Sequence, residues 1–313
     1  MRRFRSPDDL AGMAALINAR DERDGTGGPH VTAEAMADIY NHLQRCDPDT
    51  DIVVVETDAG DIAGYARVQW DDWAEGIRSY WMAFEAEPDP PDIQTDVLDW
   101  AEARALAVAD EHPADRRRLH AEAQVGTPRE TALLARGFRP IRYSAIMIRP
   151  DLTDIPDRPL PEGLTTRPVR PDDLRAIWEA DIEAFRDHFG YVEQTEHDWE
   201  KFRDTAERGT DLWQVAWAGD LVVGQVRTYE DPGEAERIGR RRGWTEDIST
   251  RREWRGKGVA SALICASLRQ LRDLGFDEAA LGADTESLTG AFDLYASLGY
   301  EQVTLGALYE REI

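Results

Sequence analysis

The stretch ISTRREWRGKGVASALICASL, residues 248–268, decides how this chain is read. A short β-rich run, TEDIST (245–250), leads into RGKGVA (255–260), and an apolar run, VASALICASLRQLRDL (259–274), follows with Val259, Leu263, Ala266 and Leu271 near one helical face. Glycines at Gly256 and Gly258, between a strand and a helix, let successive backbone N–H groups face inward at the helix start. The peptide dipoles add partial positive charge there. Arg255 and Lys257 add full charges, and Lys257 is one of only two lysines in the chain. Residues 237–257 hold eight basic and three acidic side chains, a local balance of +5 inside a chain of formal charge −25. The turn is therefore expected to take an anion, phosphate above all. The sequence contains no GxxxxGK[ST], and no GxGxxG follows an early strand, so neither a P-loop nor a dinucleotide Rossmann site is indicated.

The rest of the chain bounds the ligand. A length of 313 residues suits two domains, and 42% hydrophobic residues with ten tryptophans describe an ordered globular protein. With 62 acidic against 37 basic residues, nucleic acid and anionic membranes are poor partners, and a small neutral or cationic one is favoured. The two cysteines, Cys46 and Cys265, form no CxxC or Cys/His pattern, so neither a disulfide framework nor a metal site is expected. MRRFRSPDDL has no apolar stretch after its arginines, and no run of about 18 apolar residues occurs, so a cytoplasmic protein without signal peptide or membrane span is the expectation.

Hydrophobic periods divide the first half into helix, helix, three strands, helix, strand, helix and strand. PDDLAGMAALIN (7–18) follows a Ser6 to Asp9 capping pattern, and TAEAMADIY (32–40) is the second helix. The runs 51–57, 61–70 and 78–85 are strands, a long helix covers 97–110, a strand 118–123, a short helix 131–136, and a last strand ends at Ile148. The order then repeats. DIVVVETDAGDIAG (51–64) finds its echo in DLWQVAWAGDLVVG (211–224), and LLARGF (133–138) in ASLGY (296–300). A spacing this long marks a duplicated domain rather than a solenoid. RPDLTDIPDRPLPEG (149–163), with four prolines, reads as an extended linker. The expected organisation is a first domain over 1–150, a Pro-rich linker over 151–163 and a second domain over 164–313.

Downstream of RGKGVA, the segment LGADTESLTGAFDLYASLGY (281–300) completes a pattern that resembles the GCN5-related N-acetyltransferase (GNAT) superfamily. The match to its [RQ]xxGx[GA] turn falls on Arg255, Gly258 and Ala260, and the match to its tyrosine-bearing helix on Leu294, Tyr295, Gly299 and Tyr300. The resemblance covers 164–313 in element order and 1–150 more weakly. In layout it is similar to the tandem two-domain members that include mycothiol synthase. It implies an α/β fold of two GNAT-like domains, each a twisted mixed sheet flanked by helices, and an acetyl-CoA-dependent N-acetyltransferase acting on the primary amine of a small molecule. A mycothiol-synthase-like or protein-acetylating enzyme and a catalytically silent acyl-CoA-binding module are the alternatives.

In that resemblance Arg255, Gly256, Lys257, Gly258, Val259 and Ala260 cradle the coenzyme A pyrophosphate, and backbone groups of Ile248, Ser249 and Thr250 meet pantetheine and the acetyl oxygen. Ser287 stands near the place where an Asn often precedes the tyrosine helix. Direct attack of an amine on a thioester needs a base for the amine and an acid for the departing thiolate. Tyr295 is the candidate acid. Glu246 and Asp247 are the candidate bases, Glu246 the favoured one, and because they alternate faces of the strand at most one points into the cleft. The acceptor is expected near residues 181–191, where Asp181, Glu183 and Asp187 could attract a cationic amine. His188 and His197 lack metal-ligand spacing, and Cys265 reads as core. The first domain has EPDPPD (87–92) at the place of RGKGVA and Leu133 at the place of Tyr295, so it is expected to be a degenerate copy.

Overall fold

The computed structural model describes residues 1–112, 114, 116–207, 209–287 and 289–313. The first half runs β1 (Arg2–Arg3), α1 (Leu10–Asp24), α2 (Ala33–Asn41), β2 (Ile52–Glu56), β3 (Ile62–Asp72) and β4 (Arg78–Ala86). Then come α3 (Pro91–Glu111), β5 (Arg117–Gln124), α4 (Pro128–Ala135) and β6 (Arg139–Arg149). Apart from β1, these are the elements the hydrophobic periods predict, with ends moved by local chemistry. The Thr32 and Thr127 hydroxyls accept from the N–H groups of Ala35 and Glu130 and so start α2 and α4. α3 starts at Pro91 rather than at Val97, because a proline at the first helical position gives up an N–H that would have no partner anyway. The capping pattern expected ahead of α1 does not form. Asp9 instead accepts from the Arg5 N–H (2.7 Å) and from two guanidinium nitrogens of Arg2 (2.8 and 2.7 Å).

The second half runs β7 (Thr165–Thr166), α5 (Leu174–Phe185), α6 (Glu196–Ala206), β8 (Gln214–Ala218), β9 (Leu221–Glu230), α7 (Pro232–Ile238) and β10 (Arg242–Thr250). It closes with α8 (Val259–Asp273), β11 (Glu278–Asp284), α9 (Ala291–Ser297), β12 (Glu301–Gln302) and β13 (Gly306–Glu312). The two echoed segments form the hairpins β2–β3 and β8–β9, each with a register shift beside its turn. α7 is absent from the sequence reading. The Asp231 carboxylate accepts from the Gly233 and Glu234 N–H groups to start it, and Gly239 ends it with φ 68°.

The chain forms two compact units, Met1–Ser144 with Thr304–Ile313, and Ala145–Val303. In the first the strands lie in the order β1-β2-β3-β4-β5-β13-β6, with β4 and β5 parallel; in the second the order is β6-β11-β10-β9-β8-β7, with β10 and β11 parallel and β12 paired to β6. The boundary thus falls inside β6 rather than in the Pro-rich segment. That segment is packed: Leu152 is buried in the core of the second unit, with Ile155 and Leu160 against it. The last strand also departs from the expected domain. β13 pairs antiparallel with β5 and β6, and Ala307 and Tyr309 complete the first unit's core.

Each unit has a mixed sheet with an apolar cluster on either face. In the second unit Leu263, Leu268 and Leu281 pack beneath α8, while Ile177, Phe202 and Trp217 pack beneath α5 and α6. No helix among the described residues is long and apolar enough to cross a membrane.

Candidate active site

In the second unit β10 and β11 pair only from Arg242↔Glu278 to Trp244↔Ala280. Beyond that point the strands part, with β10 running on to Thr250 and β11 to Asp284. Glu246 lies at the parting. Its Oε1 accepts from the Gly282 N–H at 2.8 Å, a side-chain bond where the ladder has ended. Burial, opposed by that bond and helped by the charge of Asp247, pushes its carboxyl up to about 7.

One extra residue enters β10 at the same level. Glu246 opposes Arg227 on β9, yet Ser249 opposes Gln225, so Asp247 and Ile248 together face one residue of the partner. Asp247 takes φ 47°, the left-handed region, where aspartate is among the few side chains found at all often. Arg251 donates its N–H to Val223 O on β9 at 2.9 Å. Alternation then turns the Thr250 N–H to the opposite side, where β11 has left. Ser249 faces β9, its hydroxyl accepting from Gln225 Nε2 at 3.1 Å. Ile248 is half-buried against the core beneath α8.

After β10 a single 3₁₀ turn (Arg252–Trp254) precedes the glycines. Gly256 and Gly258 have φ 70° and 87°, and Gly258 caps α8, where an added Cβ would lie in ordinary contact with the Ser261 Oγ at 3.8 Å. Among the described residues, the backbone N–H groups of 256–261 have no hydrogen-bond acceptor, and Ala262 is the first to bond back, to Gly258 O at 3.1 Å. The turn therefore presents a set of free donors at the start of a 15-residue helix, as an anion site requires. Val259 is buried and Ala260 half-buried where α8 joins the core.

The charge surplus read from residues 237–257 is corrected. Arg240, Arg241 and Arg242 pair with Glu278, Glu230 and Glu234, Arg251 with Glu183, and Arg252 and Arg255 with Asp187. Arg255 spends its guanidinium on Thr250 O (3.3 Å), Ala184 O (2.6 Å) and Asp187 Oδ2 (3.1 Å), so it fastens the end of α5 to the turn. Lys257 keeps its charge at the surface, over the Trp254 ring at 4.9 Å, without a carboxylate partner among the described residues.

Tyr295, on α9, is buried with its ring edge-on to Tyr300 at 6.3 Å. Burial first, and the Glu246 charge second, push its phenol up. The hydroxyl therefore keeps its proton at neutral pH and is a donor. Tyr300 is fixed by a bond to the Thr245 Oγ1 at 2.8 Å, which ties the turn after α9 to β10 one residue before Glu246. Ser287 sits half-buried before α9, its hydroxyl paired with that of Thr289 at 2.9 Å.

The acidic residues expected to draw in an amine already have cationic partners. Asp181 binds Arg227 at 3.0 Å, Glu183 lies 3.6 Å from Arg251, and Asp187 holds Arg252 and Arg255. His188 approaches Asp284 at 3.7 Å, and His197 lies 3.9 Å from Glu200 on its own helix. Cys265 is fully buried in α8 and its thiol pushed up by that burial. No group of three His, Cys, Asp or Glu side chains disposed to hold a metal occurs among the described residues. Sequence reasoning missed the Gly282 bond, the bulge and the ties of Asp181. None has a local signal, since each joins residues far apart in the chain.

Parallel strands that part beside a glycine-closed helix start, with a buried tyrosine on the helix after the second strand, define the class of acetyltransferases with the GNAT fold. Comparison with known proteins agrees, for residues 174–300 match the model of the acetyltransferase (GNAT) family. A mycothiol acetyltransferase of Salinispora arenicola is 30% identical over 313 residues, spanning 97% of this chain and 94% of its own. A second, of Thermobispora bispora, is 32% identical over 194 residues, 58% of this chain and 61% of its own. Among solved structures, a GCN5-related N-acetyltransferase from Sphaerobacter thermophilus covers 100% of this chain and 95% of its own at 25% identity, with a TM-score of 0.71. A tandem GNAT protein from the clavulanic acid biosynthesis pathway shares the fold at 15% identity, with a TM-score of 0.62 over 98% of this chain and 95% of its own. The chain belongs to the GNAT acetyltransferase family and is an N-acetyltransferase of the tandem type.

Proposed function

We propose that the unit Ala145–Val303 carries the active site and moves an acetyl group from acetyl-CoA directly to the primary amine of a small molecule. The observation that carries this reading is the buried Glu246 where β10 and β11 part, its charge felt at the buried Tyr295 phenol, together with the free N–H groups of the turn ahead of α8. The turn and Lys257 receive the pyrophosphate, and the pantetheine arm enters between the strands. Glu246, with a carboxyl near 7, takes a proton from the amine directly or through water as nitrogen attacks the thioester carbon. The Thr250 N–H side of the bulge steadies the carbonyl oxygen while it carries negative charge. The carbon–sulfur bond then breaks, its electron pair goes to sulfur, and the Tyr295 hydroxyl gives that sulfur a proton.

The near full-length relative named for mycothiol supports a small-molecule acceptor and puts mycothiol-related amines at the head of a test panel. The experiment is acetyl-CoA turnover over a panel of amines, followed by release of free thiol, with Tyr295→Phe as control. Binding of acetyl-CoA with no thiol release from any amine would leave the chain an acyl-CoA-binding module.

A further inference from the structure

Resting on that reading of the site, we propose that Arg227 and Asp181 are positioning residues for acetyl transfer, a clamp that holds the β10 bulge in its working shape. The bulge has two flanks, Asp247 and Ser249, on either side of Ile248. Asp247 stands in the left-handed region, which is disfavoured for a residue with a side chain. Its carboxylate is tied to Arg227 Nη2 at 3.1 Å, and the same nitrogen binds Asp181 Oδ2 at 3.0 Å. The other flank is tied through Gln225, whose Nε2 reaches the Ser249 hydroxyl at 3.1 Å and Asp181 Oδ1 at 2.9 Å. Two side chains of β9 thus carry both ends of the bulge onto one carboxylate of α5.

The clamp is stiff. Arg227 is largely buried, with its guanidinium 5.1 Å from the centre of the Phe202 ring and 5.6 Å from that of Trp213. Gln225 is fully buried and also meets Ile177 O at 3.3 Å. Burial pushes Asp181 up to about 6, against Arg227 and with Asp247 adding to the rise, and hydrogen bonds from Ser249 and Gln225 pull it down. The Arg227 guanidinium, 3.0 Å away, favours its ionised form. The bulge sets where the backbone N–H of Thr250 points and where Glu246 enters the gap. A shift of a few tenths of an ångström there changes the stabilisation of the reacting carbonyl while leaving the pyrophosphate turn untouched.

The test compares Arg227→Met and Asp181→Asn with the full-length enzyme, their folding checked by circular dichroism and melting temperature. The expected result is a kcat lower by roughly tenfold or more, with KM for acetyl-CoA within about threefold, as for an interaction realised mainly in the transition state. A second background separates the clamp from a merely structural role. Glycine adopts a φ near 47° without an anchor, so in an Asp247→Gly background the further loss from Arg227→Met should shrink to within about threefold. Wild-type kcat in both single variants, or an equal loss from Arg227→Met in the two backgrounds, would overturn the clamp. Should Arg227→Met not fold, the same comparison is made with Asp181→Asn, an isostere that keeps an oxygen and loses the charge. Failure of the site itself has a different signature: Tyr295→Phe and Gly258→Asp would then turn over like the wild type.

Discussion

As the proposed base, Glu246 would couple the chemistry of the site to its stability. Burial pushes its carboxyl up to about 7 from the ordinary 4.5, with Asp247 adding and Gly282 opposing, so the neutral form is favoured where an exposed glutamate would be charged. As base it works only once deprotonated. The rate should therefore rise with pH through about 7, and Glu246→Gln should lose that limb and about 10²-fold in kcat. A pH–rate profile of the glutamine variant that keeps the limb would take the role away from Glu246. Stability runs the other way. A carboxyl raised on folding contributes stability that is fully present below 4.5 and lost as pH rises through about 7. The neutral variant escapes that loss, so its melting temperature relative to the wild type should be higher at about pH 8 than at about pH 5. Tyr295→Phe removes one hydroxyl and should lower kcat on the order of 10²-fold, with a much smaller effect on KM for acetyl-CoA. Tyr295 was legible because LYASLGY (294–300) is one local segment, the end of a helix and the turn that follows it. The partner of Glu246 was not, because Gly282 reaches it only through the pairing of two strands.

The turn ahead of α8 was legible as an element and misjudged as a charge. Glycines at 256 and 258 announced a backbone no side chain favours, and both have positive φ. The count of +5 over 237–257 misled because it stopped at the ends of the window. Glu183, Asp187, Glu230, Glu234 and Glu278, which pair with those arginines, all lie outside it. What remains for an anion is a row of N–H groups and Lys257. Lys257→Ala should then weaken acetyl-CoA binding several-fold, on the order of 1 kcal/mol, and flatten its salt dependence. The check is isothermal titration at two ionic strengths. Gly258→Asp adds a side chain at φ 87° and a negative charge among the donors, and should raise the dissociation constant by at least about tenfold. The fold should survive, because Val259, Leu263 and Leu268 bury the helix independently of the turn.

The duplication was legible in the echo of 51–64 by 211–224, whereas the partner of the last strand was not. GALYERE (306–312) carries no signal of which strands it joins, and β13 completes the unit that begins at Met1. That unit keeps the framework of the site and lacks its devices. β4 and β5 pair from Arg78↔Arg117 to Trp81↔His120 and then part, as β10 and β11 do. Yet β3 and β4 keep one register from Gly64↔Ala86 to Asp72↔Arg78, so no bulge turns an amide into the gap. Arg129 reaches Phe84 O at 2.5 Å and Glu85 at 2.9 Å, closing hydrogen-bonding capacity at the end of β4. α3 opens on Pro91 and Asp92, a missing donor and a negative charge where α8 offers glycines, and Leu133 is buried on α4 where a proton donor would be needed. The first unit should therefore hold no coenzyme. Calorimetric titration of the whole chain with acetyl-CoA is expected to give a single site, and Gly258→Asp is expected to abolish the heat rather than halve it. Two sites per chain, or one that survives the Gly258 change, would place a coenzyme in the first unit and overturn the assignment of the catalytic half.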